Sequence, residues 1–401
     1  MAEVLIGRQP IYDRDLRVFG YELLFRSAGA DQAAIVDGER ATSDVVLNAL
    51  VEIGLDRLVG DAHAFINLTH SFVLSGYPTA LPPDRVVLEI LESAPADDEL
   101  VGAVRGLREA GYTVALDDFN FRDSLRPLVE TATIVKLDLQ ALGRSGVEAN
   151  VRRLRGYNVR LLAEKVETHD DLAFCRDLGF DYYQGYFFCK PDLVRERRVP
   201  GNRLAVLLLL AKLQDPETDF SELEALIAQD VSLSYKVLRL INSAFYARPT
   251  KVESIRQALI LLGTRLVATW VTLIAMASVE DKPTELMTTA MVRGRMCEML
   301  ARAQRVPNKD MYFTAGLFSV LDALLDAPMA EVLERLPLSD ELEQALLEGT
   351  GPLGATLQAV LAYERAEWDA IDLPGVEPHV LAAAYLDAIA WAHDMRAALT
   401  A

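Results

Sequence analysis

Seven strand-like runs in the first half of the chain each end on a group able to serve a metal or a phosphate. They are Tyr21-Glu22-Leu23-Leu24, Phe65-Ile66-Asn67, Val87-Leu88-Glu89, Ala115-Leu116-Asp117-Asp118, Ile134-Val135-Lys136, Leu162-Ala163-Glu164 and Tyr183-Gln184. In an α/β barrel, chemistry sits where strands end, because the loops and strand tips there surround one open face. The adjacent carboxylates of Asp117 and Asp118 are costly unless a cation neutralises them. Glu22, Asn67 and Glu89 supply further hard oxygens, a donor set that suits Mg²⁺ or Mn²⁺ and not zinc. Lys136 could hold a water or a phosphate oxygen, and Glu164 could be a second metal ligand or a general base. Two cations in such a site would activate a water and stabilise the departing oxygen in phosphodiester cleavage. As a solvent-facing site group, Glu22 is expected to be replaceable with little loss of stability.

The elements that must position these residues alternate up to about residue 190. Short β-rich runs are separated by segments of helical spacing such as 98–110, with Leu100, Val104 and Leu107 on one stripe, and 170–178. From Asn67 onward the tips fall roughly 20–28 residues apart, room for a strand, a helix and two loops. So many strand–helix units imply a parallel sheet closed into a barrel. The first two runs, VLIGRQPIY and RVFGYELLF, are joined by the turn-like Asp13-Arg14-Asp15 and could pair as an antiparallel hairpin. From about Pro200 the strand pattern stops. Helical spacing predicts helices over 219–228, 232–240, 254–262, 284–304, 309–326, 329–336, 340–347, 354–364 and 377–399, with cap residues at Asp219 or Ser221, Ser232, Ser254, Asn308 and Ser339. The charged, turn-rich stretch from Lys190 to Asn202 separates the halves, giving domains 1–197 and 198–401.

A formal charge of −19 on 401 residues excludes a nucleic-acid polymer as the expected partner and disfavours anionic lipid. Cys175, Cys189 and Cys297 form no close pair and fit a reducing cytoplasm. The N-terminal residues lack the basic-then-apolar pattern of a secretion signal. Residues 258–279 are long enough to cross a bilayer, but Arg265 near their middle favours buried helices and no membrane span.

The ordered motifs Glu22-Leu23-Leu24-x-Arg26, Asn67, Glu89-Ile90-Leu91-Glu92, Asp117-Asp118-Phe119, Lys136-Leu137-Asp138, Glu164-Lys165-Val166-Glu167-Thr168 and Gln184-Gly185-Tyr186 closely resemble the EAL domain over about residues 1–195. The resemblance implies an α/β modified TIM barrel, trimmed and with one antiparallel strand pair, that binds cyclic di-GMP and opens it to linear pGpG with Mg²⁺ or Mn²⁺. It implies Glu22, Asn67, Glu89, Asp117 and Asp118 as metal ligands, Lys136 assisting the attacking water, and Glu164 as ligand or base. Gln184 would line the site and Arg26 would clamp a phosphate with its planar fork of donors. Glu92 and Glu167 would support the loop after the Asp pair, which normally orders the metals and a homodimer contact. Two departures stand out. That loop is Gly- and Ser-rich in active relatives but reads Asn120-Phe121-Arg122-Asp123-Ser124-Leu125 here, and Lys165 stands where the family usually has Gly.

Residues 220–246, 254–263 and 313–318 resemble the HDOD domain over about residues 198–385, an all-α relative of metal phosphohydrolases. Ser319-Val320 stands where an HD enzyme has its His-Asp pair, and His393-Asp394 lies at the far end on a helix without partner histidines. The implied role is contact with a protein partner or regulation of the barrel, without metal chemistry. Together the halves resemble EAL–HDOD signalling proteins of bacteria. Three readings follow: a slow phosphodiesterase, a non-catalytic cyclic di-GMP receptor, or a protein-interaction scaffold.

Overall fold

The computed structural model describes residues 4–27, 53–74, 77–91, 94, 96–190, 201–215, 218–228, 231–242, 252–279 and 282–400. Two compact units emerge, one of residues 1–187 with 363–367 and 377–382, the other of 188–362, 368–376 and 383–401. The stretch 191–200, where the sequence places the domain boundary, lies outside the described residues.

The first unit contains a closed eight-stranded barrel in sequential order: β1 (Val4–Tyr12), β2 (Val18–Ser27), β3 (His63–Leu68), β4 (Val86–Ile90), β5 (Thr113–Leu116), β6 (Ile134–Asp138), β7 (Arg160–Glu164) and β8 (Tyr182–Gln184). All neighbours pair in parallel except β1, which runs antiparallel to both β2 and β8. The tight turn at 13–16 imposes this reversal, since a short connection can only join antiparallel strands. Its geometry comes from Asp13, whose carboxylate accepts the backbone N–H groups of Asp15 and Arg17. The central strands β4 and β6 are buried at every position, as parallel strands covered on both faces must be.

Between them the described residues form α1 (Leu55–Val59), α2 (His70–Leu74), α3 (Asp98–Glu109), α4 (Arg126–Thr131), α5 (Leu139–Leu154) and α6 (His169–Leu178). The stripe in α3 buries Leu100, Val101, Val104 and Leu107, and Asp97 caps the helix by accepting Leu100 N–H at 2.8 Å. Asp138 ends β6 and caps α5, accepting the N–H groups of Gln140 and Ala141.

Inside the barrel, Ile11, Phe65, Val87, Ala115, Ile134, Leu162 and Tyr182 form one buried apolar cluster. Side chains alternate between faces along a strand, so the next inward position lies two residues on. Those positions are Asn67, Glu89, Asp117, Lys136, Glu164 and Gln184 on the parallel strands and, because β1 runs the other way, Gln9. On β2 the equivalent step leads from Gly20, where an added Cβ would lie 2.8 Å from the Phe65 ring, to Glu22. The polar layer therefore stands directly on an apolar floor.

The second unit is helical throughout its described residues: α7 (Gly201–Gln214), α8 (Phe220–Ala228), α9 (Val231–Ile241), α10 (Ile255–Leu262), α11 (Thr264–Ala277), α12 (Thr284–Ala303), α13 (Lys309–Phe318), α14 (Leu321–Leu325), α15 (Met329–Leu333), α16 (Asp340–Leu347), α17 (Gly351–Glu364) and α18 (Pro378–Thr400), the last two reaching into the first unit's residues. The apolar stretch 258–279 forms two helices parted at Gly263, and no described helix is long and apolar enough to cross a membrane. Ser254 caps α10 and Ser339 caps α16. The helix predicted over 309–326 is broken. Ser319 turns its hydroxyl back to Gly316 O at 2.7 Å, and Val320 leaves helical geometry at φ −117° and ψ 7°. Close packing of α12 on α13 depends on Gly316, where a Cβ would meet Arg293 O at 2.4 Å.

Candidate active site

Lys136 is the centre of the polar layer. It sits mid-strand on β6 with no exposure, and its Nζ lies 2.7 Å from Glu89 Oε1, 2.7 Å from Asp117 Oδ1, 2.9 Å from Glu164 Oε1 and 3.2 Å from Glu22 Oε2. Glu22 is the most fully bonded carboxylate. Its Oε1 accepts from Asn67 Nδ2 at 2.9 Å and its Oε2 from Gln184 Nε2 at 2.7 Å and from Lys136. Gln184 also donates to Gln9 Oε1 at 3.1 Å.

These contacts divide the carboxylates electrostatically. Burial raises the pKa of Glu22, but the Lys136 charge and the amide donors of Gln184 and Asn67 outweigh it and hold the group below the ordinary range. Glu89 is pushed well above that range by burial and by the charge of Glu22. Asp117 is raised by burial, against the pull of Lys136. Glu164 is pushed up to about 8, again chiefly by burial. Burial disfavours the ammonium of Lys136, yet the four surrounding carboxylates win and raise its pKa well above the usual lysine value.

The residues fit a divalent cation. Glu89 Oε1 and Asp117 Oδ1 meet Lys136 as ion pairs off the hydrogen-bond direction, and Glu89 Oε2, Glu164 Oε2, Asn67 Oδ1 and Gln184 Oε1 are buried without a hydrogen-bond partner. Buried acceptors left unserved are costly. An all-oxygen set of four carboxyl groups around one ammonium has the hardness that a divalent cation would satisfy.

The structure thus brings Glu22, Asn67, Glu89, Asp117, Lys136, Glu164 and Gln184 into one layer. Asp118 is next to them but exposed, with a left-handed backbone at φ 43°. Arg26 is half-buried, four residues further along β2 than Glu22. Glu167 is exposed and accepts from Gln140 Nε2 at 2.6 Å, tying the loop after β7 to α5. Glu92 lies outside the described residues. Two sequence expectations need correction. Glu22 and Lys136 do not end their strands: β2 continues to Ser27 by pairing with β1, and β6 continues to Asp138. Nor does Glu22 face solvent: it is 7% exposed and accepts three hydrogen bonds, so its loss must cost stability. Sequence reasoning missed Gln9. Its signal was present in the hairpin register, which sets Gln9 opposite Glu22.

The loop after the Asp pair is anchored by large side chains. Phe121 donates its N–H to the buried Asn150 Oδ1 of α5 at 2.7 Å, and its ring packs against Phe119 and Tyr157 with the Arg153 guanidinium 5.2 Å above it. Lys165, in the usual Gly position, has φ 52° and pairs with Asp138.

Residues 7–191 match the EAL domain and residues 203–348 the HDOD domain. The cyclic di-GMP phosphodiesterase CdgJ of Vibrio cholerae is 35% identical over 386 residues, covering 95% of this chain and 88% of CdgJ. The chain is an EAL–HDOD protein. A second relative of this EAL–HDOD chain, the uncharacterized protein YuxH of Bacillus subtilis, is 31% identical over 98% of each sequence. Among solved structures, the calcium/cyclic di-GMP complex of Klebsiella pneumoniae BlrP1 aligns at 23% identity over 46% of this chain and 54% of its own (TM-score 0.39). An EAL domain protein of Listeria monocytogenes aligns at 22% over 46% and 87% (TM-score 0.37).

In the helical half, the Ser319 hydroxyl accepts from the buried Arg293 Nη1 at 3.1 Å, between the fully buried Phe318 and Val320. His379 and His393 are exposed on α18. Parts of the HDOD-like motif, 229–230 and 243–246, fall outside the described residues.

Proposed function

We propose that the barrel binds cyclic di-GMP with Mg²⁺ or Mn²⁺ and opens it to pGpG, as a component of bacterial cyclic di-GMP signalling in the cytoplasm. The observation that carries this reading is the convergence of Glu22, Glu89, Asp117 and Glu164 on one buried point with acceptor oxygens left over. Glu22, Asn67, Glu89 and Asp117, with Asp118 at the rim, would hold the cation. When bound, the cation would lower the pKa of a water and neutralise phosphate charge. Opening the ring breaks one phosphorus–oxygen bond, so the attacking water must lose a proton and the leaving oxygen must gain one. Glu164, at the end of β7 with its Oε2 buried and without a hydrogen-bond partner, suits the first task, and Lys136 suits orienting the water. Arg26 would clamp a phosphate and Gln184 line the pocket. The resemblance to CdgJ over nearly the whole chain supports the same chemistry.

The anchored loop favours a second reading, a receptor that binds without turning over. Phe121 fixed to Asn150 and Arg153 replaces a glycine-rich segment whose conformations bulky residues reach only at a cost. The helical half, without HD-type ligands at 319–320, would serve a protein partner or regulate the barrel. Incubating the full chain with cyclic di-GMP and Mn²⁺, while following binding and pGpG together, tests these readings. Binding with pGpG formation supports the phosphodiesterase, binding alone supports the receptor, and the absence of both leaves a scaffold.

A further inference from the structure

Lys136 has more carboxylates than it can serve. An ammonium offers three N–H donors, yet four carboxylates lie within 3.2 Å of Nζ; the contact to Glu22 has hydrogen-bond direction, while those to Glu89 Oε1 and Asp117 Oδ1 are off it. Glu89 has no exposure, and its Oε2 has no hydrogen-bond partner; Gln184, 4% exposed, leaves its Oε1 likewise unserved. Without a metal, this ammonium is the only positive charge at the convergence point among the described residues.

The amine is a compact point charge on a flexible four-carbon stem, able to shift its head while the backbone stays fixed. That backbone is fixed by β5 and β7 on either side of β6. Two cations cannot both hold the same oxygens at short range without strong repulsion.

We propose that Lys136 is the resident counter-ion of the metal-free pocket, and that a divalent cation must take the carboxylates from it. The inference rests on the metal-site reading above and adds a distinct property. Lysine keeps the barrel folded without metal and, by the same contacts, sets the metal concentration at which the site loads. Its removal must therefore act in opposite directions on the two states. The metal-free chain loses its counter-ion, whereas the metal-bound chain loses a competitor.

Methionine keeps much of the length and none of the charge, so Lys136→Met in the full chain is the test. Mn²⁺ binding, followed by titration calorimetry or by the free-Mn²⁺ electron-spin signal, should tighten at least tenfold. Thermal unfolding in chelator should fall, and saturating Mn²⁺ should restore it to the wild-type value or above. Mn²⁺ affinity equal to or weaker than wild type would overturn the proposal while leaving the metal site standing. If neither chain bound Mn²⁺, the metal-site reading would fall and this inference with it. Should the variant not fold even with Mn²⁺, the wild type decides. The ¹⁵Nζ resonance of Lys136, assigned by its absence in Lys136→Arg, should move on Mg²⁺ saturation. A resonance unmoved by saturating Mg²⁺ would overturn the proposal.

Discussion

Glu164 ends β7 one strand away from Lys136, and its Oε1 lies 2.9 Å from the lysine Nζ, yet its pKa is still pushed up to about 8. Attraction to the ammonium is outweighed by burial and by the charges of Asp117 and Glu22. In the unfolded chain the group would titrate near its ordinary 4.5. Between those values the folded state binds the additional proton, so stability must fall as pH rises. Glu89 and Asp117, also raised, act in the same direction. The metal-free chain is therefore expected to lose unfolding temperature steadily from pH 5 to pH 8 in chelator, and saturating Mn²⁺ should flatten or reverse that slope. A chelated protein that grew more stable across the same range would refute the charge balance described for the site.

Glu22 is where site and stability meet. Replacing it with alanine leaves Asn67 Nδ2, Gln184 Nε2 and Lys136 without their common acceptor, although it also removes one charge from a crowded set. The expected net cost is about 1–3 kcal/mol, the scale of a buried donor left unserved. Loss of a proposed metal ligand should also lower turnover by at least about a hundredfold, the upper end of what outer-shell partners cost. Urea unfolding and pGpG formation measured on Glu22→Ala check both. Unchanged turnover would remove Glu22 from the catalytic set.

Much of this was legible in the chain because barrel strands enforce a period of two. Each apolar floor residue predicts a site residue two positions on, as Phe65 does for Asn67 and Ile134 for Lys136. Lys165 was legible as a departure, and the left-handed backbone it adopts is the conformation for which glycine would be free of cost. Gln9 was hidden because β1 runs backwards, so its inward partner precedes Ile11 instead of following it. The burial of Glu22 was hidden for a related reason, since among the described residues the pairing of β1 with residues 24–27 carries β2 past the site. The break in the helix at 319–320 depends on one hydroxyl turning to the backbone, which helical spacing does not encode.

In the proposed reading, the loop at 120–125 separates slow enzyme from receptor. Phe121 is held by Asn150, Tyr157 and Arg153, all on or just after α5. A Gly/Ser-rich graft over these positions frees the segment and should raise kcat several-fold if this anchorage limits the reaction. It should also cost roughly 1 kcal/mol through lost packing of the half-buried Phe121 ring. A graft that still binds cyclic di-GMP but forms pGpG no faster would show that the limit lies elsewhere in the barrel.

Regulation requires that nucleotide binding alter the free energy of the helical half, because a ligand shifts only those equilibria whose states it binds unequally. Hydrogen exchange reads such a shift without truncating the chain, which matters because residues 363–367 and 377–382 cluster with the barrel unit. The full chain should show changed protection in backbone amides of α8–α13 when cyclic di-GMP and Mg²⁺ are added, beyond any change from Mg²⁺ alone. Glu22→Ala, damaged in the proposed metal set, should show a smaller change at the same nucleotide concentration. Identical exchange in those helices with and without nucleotide, while barrel amides respond, would rule out coupling between the halves under those conditions. The helical half would then act as an independent adaptor, and its partner would be recruited regardless of the state of the barrel.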